Sequence, residues 1–302
     1  MGQPLPWGRH YLVVRPDHFR VDYAINPYMD PADQPDPARA LAHRHDLVDA
    51  LQEAGAEVEV LAQRADSPDM VYAMNLGLVV NAASGRHVVM SHMRYPERRL
   101  EVGSAQPWFA DHGFATSYVG RDGVGPHLEA GDAFAFGGVL VVGHGPRTEE
   151  LALKHLATEL DVAVQGLRIT HPGMYHLDLA FCPLDSTRAM VCPAAFDDES
   201  AAALLDLVPE PLVLTEEEAL TFCANAVVVG RTVVVPSCPD RVRAQLEDWG
   251  FGVVVVELGE FHKGGGSARC LTNPLDVLRG RDLAEVPGGL VRSSARVGSL
   301  CR

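Results

Sequence analysis

The stretch FHKGGGSARCLT, residues 261–272, places Cys270 behind three glycines, a serine, an alanine and an arginine. Glycine lets the backbone approach another group closely or adopt a positive φ, so a cysteine on such a turn can be held out as a nucleophile. A buried cysteine after a flexible turn would read the same way. A phosphate-binding loop fits poorly, because no Gly-Lys-Ser/Thr follows. A thiol nucleophile also needs a proton carrier. In YHLDLAFCPLD, His176 and Asp178 alternate on a predicted strand and so face one side, which joins a proton shuttle to a carboxylate. Polar residues at the solvent edge of a strand end are the plainer alternative. PHLEAGDAFAFGG sets Glu129 and Asp132 on a tight turn before a strand, which in isolation is an acidic turn. GHGPRTEE puts Arg147 in a loop just before a helix, where a positive charge is mildly unfavourable. That misfit favours a functional role, such as a bidentate clamp on a substrate carboxylate. The HRH at 43–45 suggests a metal only superficially. His43 and His45, two apart on a helix, point in different directions and read as solvated.

The elements that must position these groups alternate between strand and helix signals. RHYLVVRP is a short apolar strand. In PARALAHRHDLVDALQEAG, Ala40, Leu47, Val48, Leu51 and Ala54 share a helical face, and Gly55 stops the helix. AEVEVLA returns as a strand in which Val58 and Val60 alternate with glutamates. GLVVNAASGRHVVMSHM reads as a hairpin around Ser84-Gly85, and FAFGGVLVVGHG as another strand pair. RTEELALKHLATEL and DRVRAQLEDWG are helices, and a strand–turn–strand turns at Gly230. FGVVVVELGEF is the last long strand and has a buried character. A unit of short strands plus a helix recurs along the chain, although no sequence repeat is visible. The pattern predicts an α/β fold, either a parallel sheet or a radial array of ββαβ units. DPADQPDPA at 30–38 reads as a surface loop, and nothing divides the chain, so residues 1–302 read as one domain.

The 302 residues are 47% hydrophobic, enough for a sizeable core. A net charge of −15 argues against nucleic acid, whose phosphates call for a basic patch, and fits a cationic small substrate. None of the cysteines, Cys182, Cys192, Cys223, Cys238, Cys270 and Cys301, forms a C-x-x-C pair, so a zinc ribbon or thioredoxin motif is not expected. The N-terminus lacks a signal pattern, and no apolar run approaches the roughly 20 residues that span a bilayer. The expectation is a reduced, cytoplasmic protein without membrane contact. The oligomeric state is open and a homo-oligomer is compatible. Cys301 reads as part of a mobile tail.

EAGD, GPRT, HLDLAFCPL and GGGSARCLT, in this order and at these distances, resemble the guanidine-modifying hydrolases and amidinotransferases. VDYAINPYMD and RYPERR are similar to that superfamily as well, so the resemblance runs from about residue 11 to the C-terminus. The superfamily includes arginine deiminase, dimethylarginine dimethylaminohydrolase, arginine dihydrolase and glycine amidinotransferase. The resemblance implies a five-bladed α/β propeller (pentein) with a central site. It implies Cys270 as the nucleophile, His176 as general acid and base, and Glu129 as a guanidinium-binding carboxylate that supports the histidine. It implies Asp178 as a second guanidinium-binding carboxylate and Arg147 as the holder of the α-carboxylate. No metal or organic cofactor is implied. One position departs from the deiminases and amidinotransferases: VYAMNLGLVV carries Asn75 where they have an aspartate. The asparagine, with the Ile25-Asn26-Pro27 segment, resembles the arginine dihydrolase branch and adds Asn26 and Asn75 to the substrate-binding set. An amide both donates and accepts, so it suits a neutral ureido group and a second hydrolysis.

The resulting expectation is hydrolysis of arginine to ornithine, or to citrulline, through a covalent S-alkylthiouronium intermediate. Dimethylarginine hydrolysis ranks second, because Asp178 would crowd an alkylated nitrogen. An amidinotransferase ranks third. A non-catalytic guanidinium binder needs neither nucleophile nor shuttle. A cysteine amidase would need an oxyanion hole, and none is evident.

Overall fold

A computed structural model describes residues 2–120 and 124–286, and Cys301 lies outside them. The described residues form five three-stranded sheets with one internal plan. In each, the first two strands are antiparallel and the third runs parallel to the second. A parallel neighbour cannot be reached by a tight turn, so a helix occupies each crossover. Strand β1 (His10–Val14) is joined by α1 (Pro37–Glu53) to β2 (Glu57–Leu61). Strands β3 (Gly77–Val79) and β4 (Arg86–Met90) are followed by α2 (Arg99–Asp111) and β5 (Phe114–Tyr118). Strands β6 (Ala133–Phe136) and β7 (Val139–His144) lead to α3 (Glu150–Leu160) and β8 (Val164–Arg168). Strands β9 (Phe181–Pro183) and β10 (Arg188–Val191) lead to α4 (Asp198–Leu207) and β11 (Glu210–Val213). A short helix α5 (Glu216–Leu220), started by a Thr215/Glu218 capping box, precedes β12 (Val227–Val229) and β13 (Thr232–Val235), then α6 (Asp240–Asp248) and β14 (Gly252–Val255). After α7 (Gly259–His262), β15 (Thr272–Pro274) pairs antiparallel with β1 and supplies the missing first strand of the first sheet.

Exposure grades across each sheet. Every residue of β3, β6, β9, β12 and β15 is buried, whereas β2, β5, β8, β11 and β14 are partly open. The middle strands read as nearly unbroken apolar runs because both of their faces are covered. In α1, Ala40, Leu47, Val48 and Leu51 are buried as expected, while Ala54 is half-buried at the cap before Gly55 (φ 96°). The hairpin closes where expected, with Ala82 and Gly85 exchanging backbone hydrogen bonds of 2.9 and 3.0 Å.

Four expectations are corrected. Strand β14 is an open edge, with Val254 and Val255 exposed, and helix α7 separates it from the glycine run. The final strand is the short Thr272–Pro274. His176 and Asp178 lie on a 3-10 turn ahead of β9, not on a strand, because the chain must turn before it can pair. His43 is buried on the inner face of α1, and only His45 is solvated.

Candidate active site

A turn precedes the first strand of every unit, and these turns carry most of the candidate site residues. Asn75 lies two residues before β3, Asn225 two before β12 and Cys270 two before β15. Glu129 caps the turn before β6, and His176 and Asp178 belong to the turn before β9. The turns bond to one another in a closed cycle. Met74 N donates to Cys270 O (3.0 Å), and Gly131 N to Asn75 Oδ1 (2.8 Å). Leu177 N donates to Asp132 Oδ1 (2.9 Å). Asn225 Nδ2 donates to Asp178 O (3.0 Å), and Arg269 N to Asn225 O (3.2 Å). Gly131 has no room for a side chain: a Cβ there would stand 2.9 Å from Asn75 Oδ1, 3.3 Å from Asp178 Oδ2 and 3.5 Å from His176 Nδ1. Those three groups therefore converge on one point.

One half of the site is charge-compensated. Glu129 Oε2 lies 2.8 Å from His176 Nε2 and accepts from Arg147 Nη1 at 3.1 Å, and its Oε1 accepts from Arg94 N at 3.1 Å. Burial alone would raise the Glu129 pKa, but Arg147 and the His176 hydrogen bond outweigh it and hold the carboxyl below the usual carboxylate range. Arg147 also donates to Ile25 O (3.0 Å) and is flanked by the Tyr95 and Tyr175 rings at 4.7 and 4.6 Å. The expected substrate clamp is thus already committed in part to Glu129.

The other half is not compensated. Cys270 Sγ lies 3.2 Å from Asp178 Oδ2, and Asp178 Oδ1 has no hydrogen-bond partner. Burial raises the Asp178 carboxyl, and burial followed by the Asp178 charge raises the Cys270 thiol well above its ordinary value. Asn225 Nδ2 donates to Sγ at 3.2 Å, and its Oδ1 accepts from Arg269 N (3.0 Å) and Cys270 N (3.2 Å). Behind Cys270, Arg269 is buried between the rings of Trp7 and Phe134, and its Nε has no partner.

A small cleft opens onto both halves. Cys270, His176, Asn75, Arg147 and Asn26 all line it, with Gly264 and Gly266. Asn26 is engaged at both ends, accepting from Tyr28 N and donating to Gly264 O (both 3.0 Å), so it braces the glycine loop. Sequence reasoning missed Asp69, Arg98, Tyr72 and Tyr175, which line the same cavity. Asp69 is buried, its Oδ2 accepts from Tyr23 Oη at 3.1 Å, and its Oδ1 has no partner. Arg98 is paired in two-point fashion with Glu101 at 2.9 and 2.8 Å. Asn225 was also missed, although it holds the same place ahead of its strand as Asn75 and Cys270. No group of three or more His, Cys, Asp or Glu side chains among the described residues could hold a metal ion.

The structure answers the question posed by the glycine run. A Cβ on Gly264 would collide with the Tyr72 hydroxyl and one on Gly266 with the Tyr72 ring, and one on Gly265 (φ 88°) would lie 2.5 Å from Asn26 Oδ1. Tyr72 donates to Phe261 O (2.7 Å), which holds its side chain against the loop that carries Cys270. Side chains of the protein, as well as the cavity, fill the space the glycines leave.

Comparison with known proteins follows from this geometry. Residues 15–277 match the family model for N,N dimethylarginine dimethylhydrolase, eukaryotic. The bifunctional arginine dihydrolase/ornithine cyclodeaminase AgrE of Nostoc sp. is 34% identical over 87% of this chain and 37% of its own length. The chain thus spans little more than a third of that relative. The N(G),N(G)-dimethylarginine dimethylaminohydrolase of Mycobacterium tuberculosis is 33% identical over 88% of this chain and 86% of its own. The product-bound N-terminal domain of ArgZ, a cyanobacterial arginine dihydrolase, superposes with a TM-score of 0.83 at 32% identity, covering 89% of this chain and 98% of that one. An asparagine-to-serine form of that domain has been solved covalently bound to a reaction intermediate. By family match and by identity over most of its length, the chain belongs to the dimethylarginine dimethylaminohydrolase family of guanidine-modifying proteins.

Proposed function

We propose that this chain hydrolyses the guanidino group of free arginine, with Cys270 as nucleophile, and carries the reaction through citrulline to ornithine. We also propose that residues 1–302 are one domain whose five units stand radially as propeller blades, a reading supported by the closed cycle of bonded turns. The observation that carries the reaction is the uncompensated half of the site. A thiol and a carboxyl are buried together with no ion pair to the carboxyl, although Arg269 lies behind them, beside a histidine already paired with a carboxylate. A substrate guanidinium supplies the missing positive charge. Its N–H groups meet Asp178 and Glu129, and the added charge lowers the thiol pKa so that Cys270 ionises when substrate is bound.

The thiolate adds to the guanidinium carbon, the C–N bond to a terminal nitrogen breaks, and His176 protonates that nitrogen as ammonia. Water then attacks the thiouronium carbon with His176 as base, the C–S bond breaks, and citrulline forms. Asn75 supports a second round. Its Oδ1 is held by Gly131 N, so its N–H₂ remains to meet the cavity, and it suits a ureido oxygen better than a guanidinium edge. Attack on the ureido carbon releases a second ammonia, and hydrolysis of the thiocarbamate leaves a carbamic acid that loses carbon dioxide. At the far end, Asp69 Oδ1 fits an α-ammonium, and Arg98 and the remaining N–H groups of Arg147 fit an α-carboxylate. A thiol nucleophile of this kind fits a reducing compartment, the cytoplasm.

The family's description and the mycobacterial relative favour a second reading, hydrolysis of dimethylarginine to citrulline and dimethylamine. Against it stands Asp178, which lies beside the sulfur and calls for an N–H donor where that substrate has methyl groups. Mass spectrometry of products from arginine, citrulline and dimethylarginine, offered separately, decides. Ornithine from arginine is expected. Citrulline as the sole end product from arginine would remove the second round, and turnover of dimethylarginine alone would overturn the leading reading. Asn75→Asp is expected to stop at citrulline, with the first step kept within about tenfold.

A further inference from the structure

We propose that Asn225 is the hydrogen-bond donor that stabilises the Cys270 thiolate and fixes its direction. The proposal rests on Cys270 being the nucleophile. Asn225 is fully buried, and its amide is used on every side. Its Oδ1 accepts from two successive backbone N–H groups, of Arg269 and Cys270, so the oxygen must face the nucleophile's backbone. That leaves Nδ2 no orientation but toward Asp178 O at 3.0 Å and Cys270 Sγ at 3.2 Å. The amide assignment therefore follows from the donors around it.

The two side-chain neighbours of the sulfur respond oppositely to ionisation. Asp178 accepts from the thiol at 3.2 Å and loses that bond when the proton leaves. The Asn225 N–H changes from a contact with a weak acceptor to a charge-assisted bond. Among the described residues, Asn225 is the only side chain that donates to Sγ. Because one amide holds the backbone of Cys270 and the carbonyl of Asp178, it also fixes the separation of nucleophile and carboxyl. The turn beneath it is firmly set. Asn225 N donates to Phe222 O (2.9 Å), and Phe222, itself left-handed at φ 64°, stacks on His262 with centroids 4.4 Å apart.

The test is the pH dependence of Cys270 alkylation by iodoacetamide, read beside kcat and KM for arginine, in wild type and Asn225→Asp. The variant keeps the shape and both accepting bonds and loses the donor, but it also adds a negative charge beside the sulfur, so the uncharged pair Asn225→Ser and Asn225→Ala is read with it to separate loss of the donor from added charge. Its thiol pKa is expected to rise by about one unit or more, and kcat to fall on the order of ten- to hundredfold, the worth of one hydrogen bond to a charged group, with KM little changed. An unmoved thiol pKa, or a loss confined to KM, would overturn the proposal. Whether or not Asn225→Asp folds, Asn225→Ser should hold a lower thiol pKa than Asn225→Ala, and equality of the two would count against the proposal. In wild type, the Asn225 side-chain amide NMR signal should shift with the Cys270 titration, and a signal that ignores it would also defeat the proposal. Failure of the underlying reading looks different: Cys270→Ser would then retain turnover.

Discussion

Glu129 and Asp178 stand in neighbouring turns of the same site, both with no exposed surface, and their acidities move apart. Burial pushes both upward. Glu129 has a guanidinium, a histidine and a backbone N–H around it, and these reverse the effect. Asp178 has a thiol, and one of its oxygens is bare. Depth therefore does not set the protonation state of a buried carboxyl; the cation beside it does. In the proposed reading the same contrast keeps the site quiet when empty: one half carries its own ion pair, and the other gains a counter-charge with a cationic substrate.

The comparison is broken most severely by Glu129→Gln. The change removes the carboxylate shared by Arg147 and His176 and leaves a buried guanidinium unpaired. Turnover should fall by about 10²–10⁴, and denaturant unfolding should show a loss of about 3–5 kcal/mol. Asp178→Asn acts on the other half and should leave stability nearly unchanged or improved, because an unpaired buried carboxyl is removed. Its kcat/KM for arginine should fall by about hundredfold, as one charge-assisted contact to the guanidinium is weakened. The Cys270 thiol of the free protein should become more acidic, since the Asp178 charge that raises it is gone. Iodoacetamide alkylation against pH reads that shift, and a thiol that became less acidic would show that Asp178 supports the thiolate instead.

The smallest expected effect is on the pH dependence of stability. Asp132 is raised from 3.8 to about 6 by burial, so folded protein holds its proton where unfolded chain has lost it. Its contribution is full below pH 3.8 and declines as pH rises to about 6. Glu129 is depressed and works the other way: its contribution is present above its ordinary 4.5 and is lost as pH falls below it. Melting temperatures from acid to neutral pH should therefore pass through a shallow maximum. Asp132→Asn should make the limb toward neutral pH less steep, with Glu101, raised to about 7, and the raised Asp69 and Asp178 keeping the rest of it, and should leave the acid limb standing.

Much of the site was legible in the chain because its turns are written in residue types that have few other uses. EAGD, GPRT, HLD and GGGSARC were each ambiguous alone, but together they specified one chemistry. His176 and Asp178 were paired for the wrong local reason: a 3-10 turn, not strand alternation, brings them to one point. Asn225 in FCANA was passed over because an asparagine after a short helix is an ordinary turn residue. Only its equivalence to Asn75 and Cys270, each two residues before a strand, marks it. Arg98 lies in RYPERR, whose likeness to the superfamily does not by itself assign it a role, and Asp69 gave no local signal; what distinguishes both is the cavity they line.

The sequence by itself determined the alternation of short apolar strands with amphipathic helices and the turns between them, because these depend on residues close together in the chain; Cys270 stood out as the expected nucleophile only through the resemblance of several motifs in register. Tertiary structure decided what depends on distant partners. It paired β1 with β15, Leu12 opposite Asn273, and closed the cycle of turns. It also gave Glu129 a direct ion pair with Arg147 and left Asp178 without a direct ion pair. Electrostatic compensation is a property of neighbours in space, and here those neighbours come from five separate units.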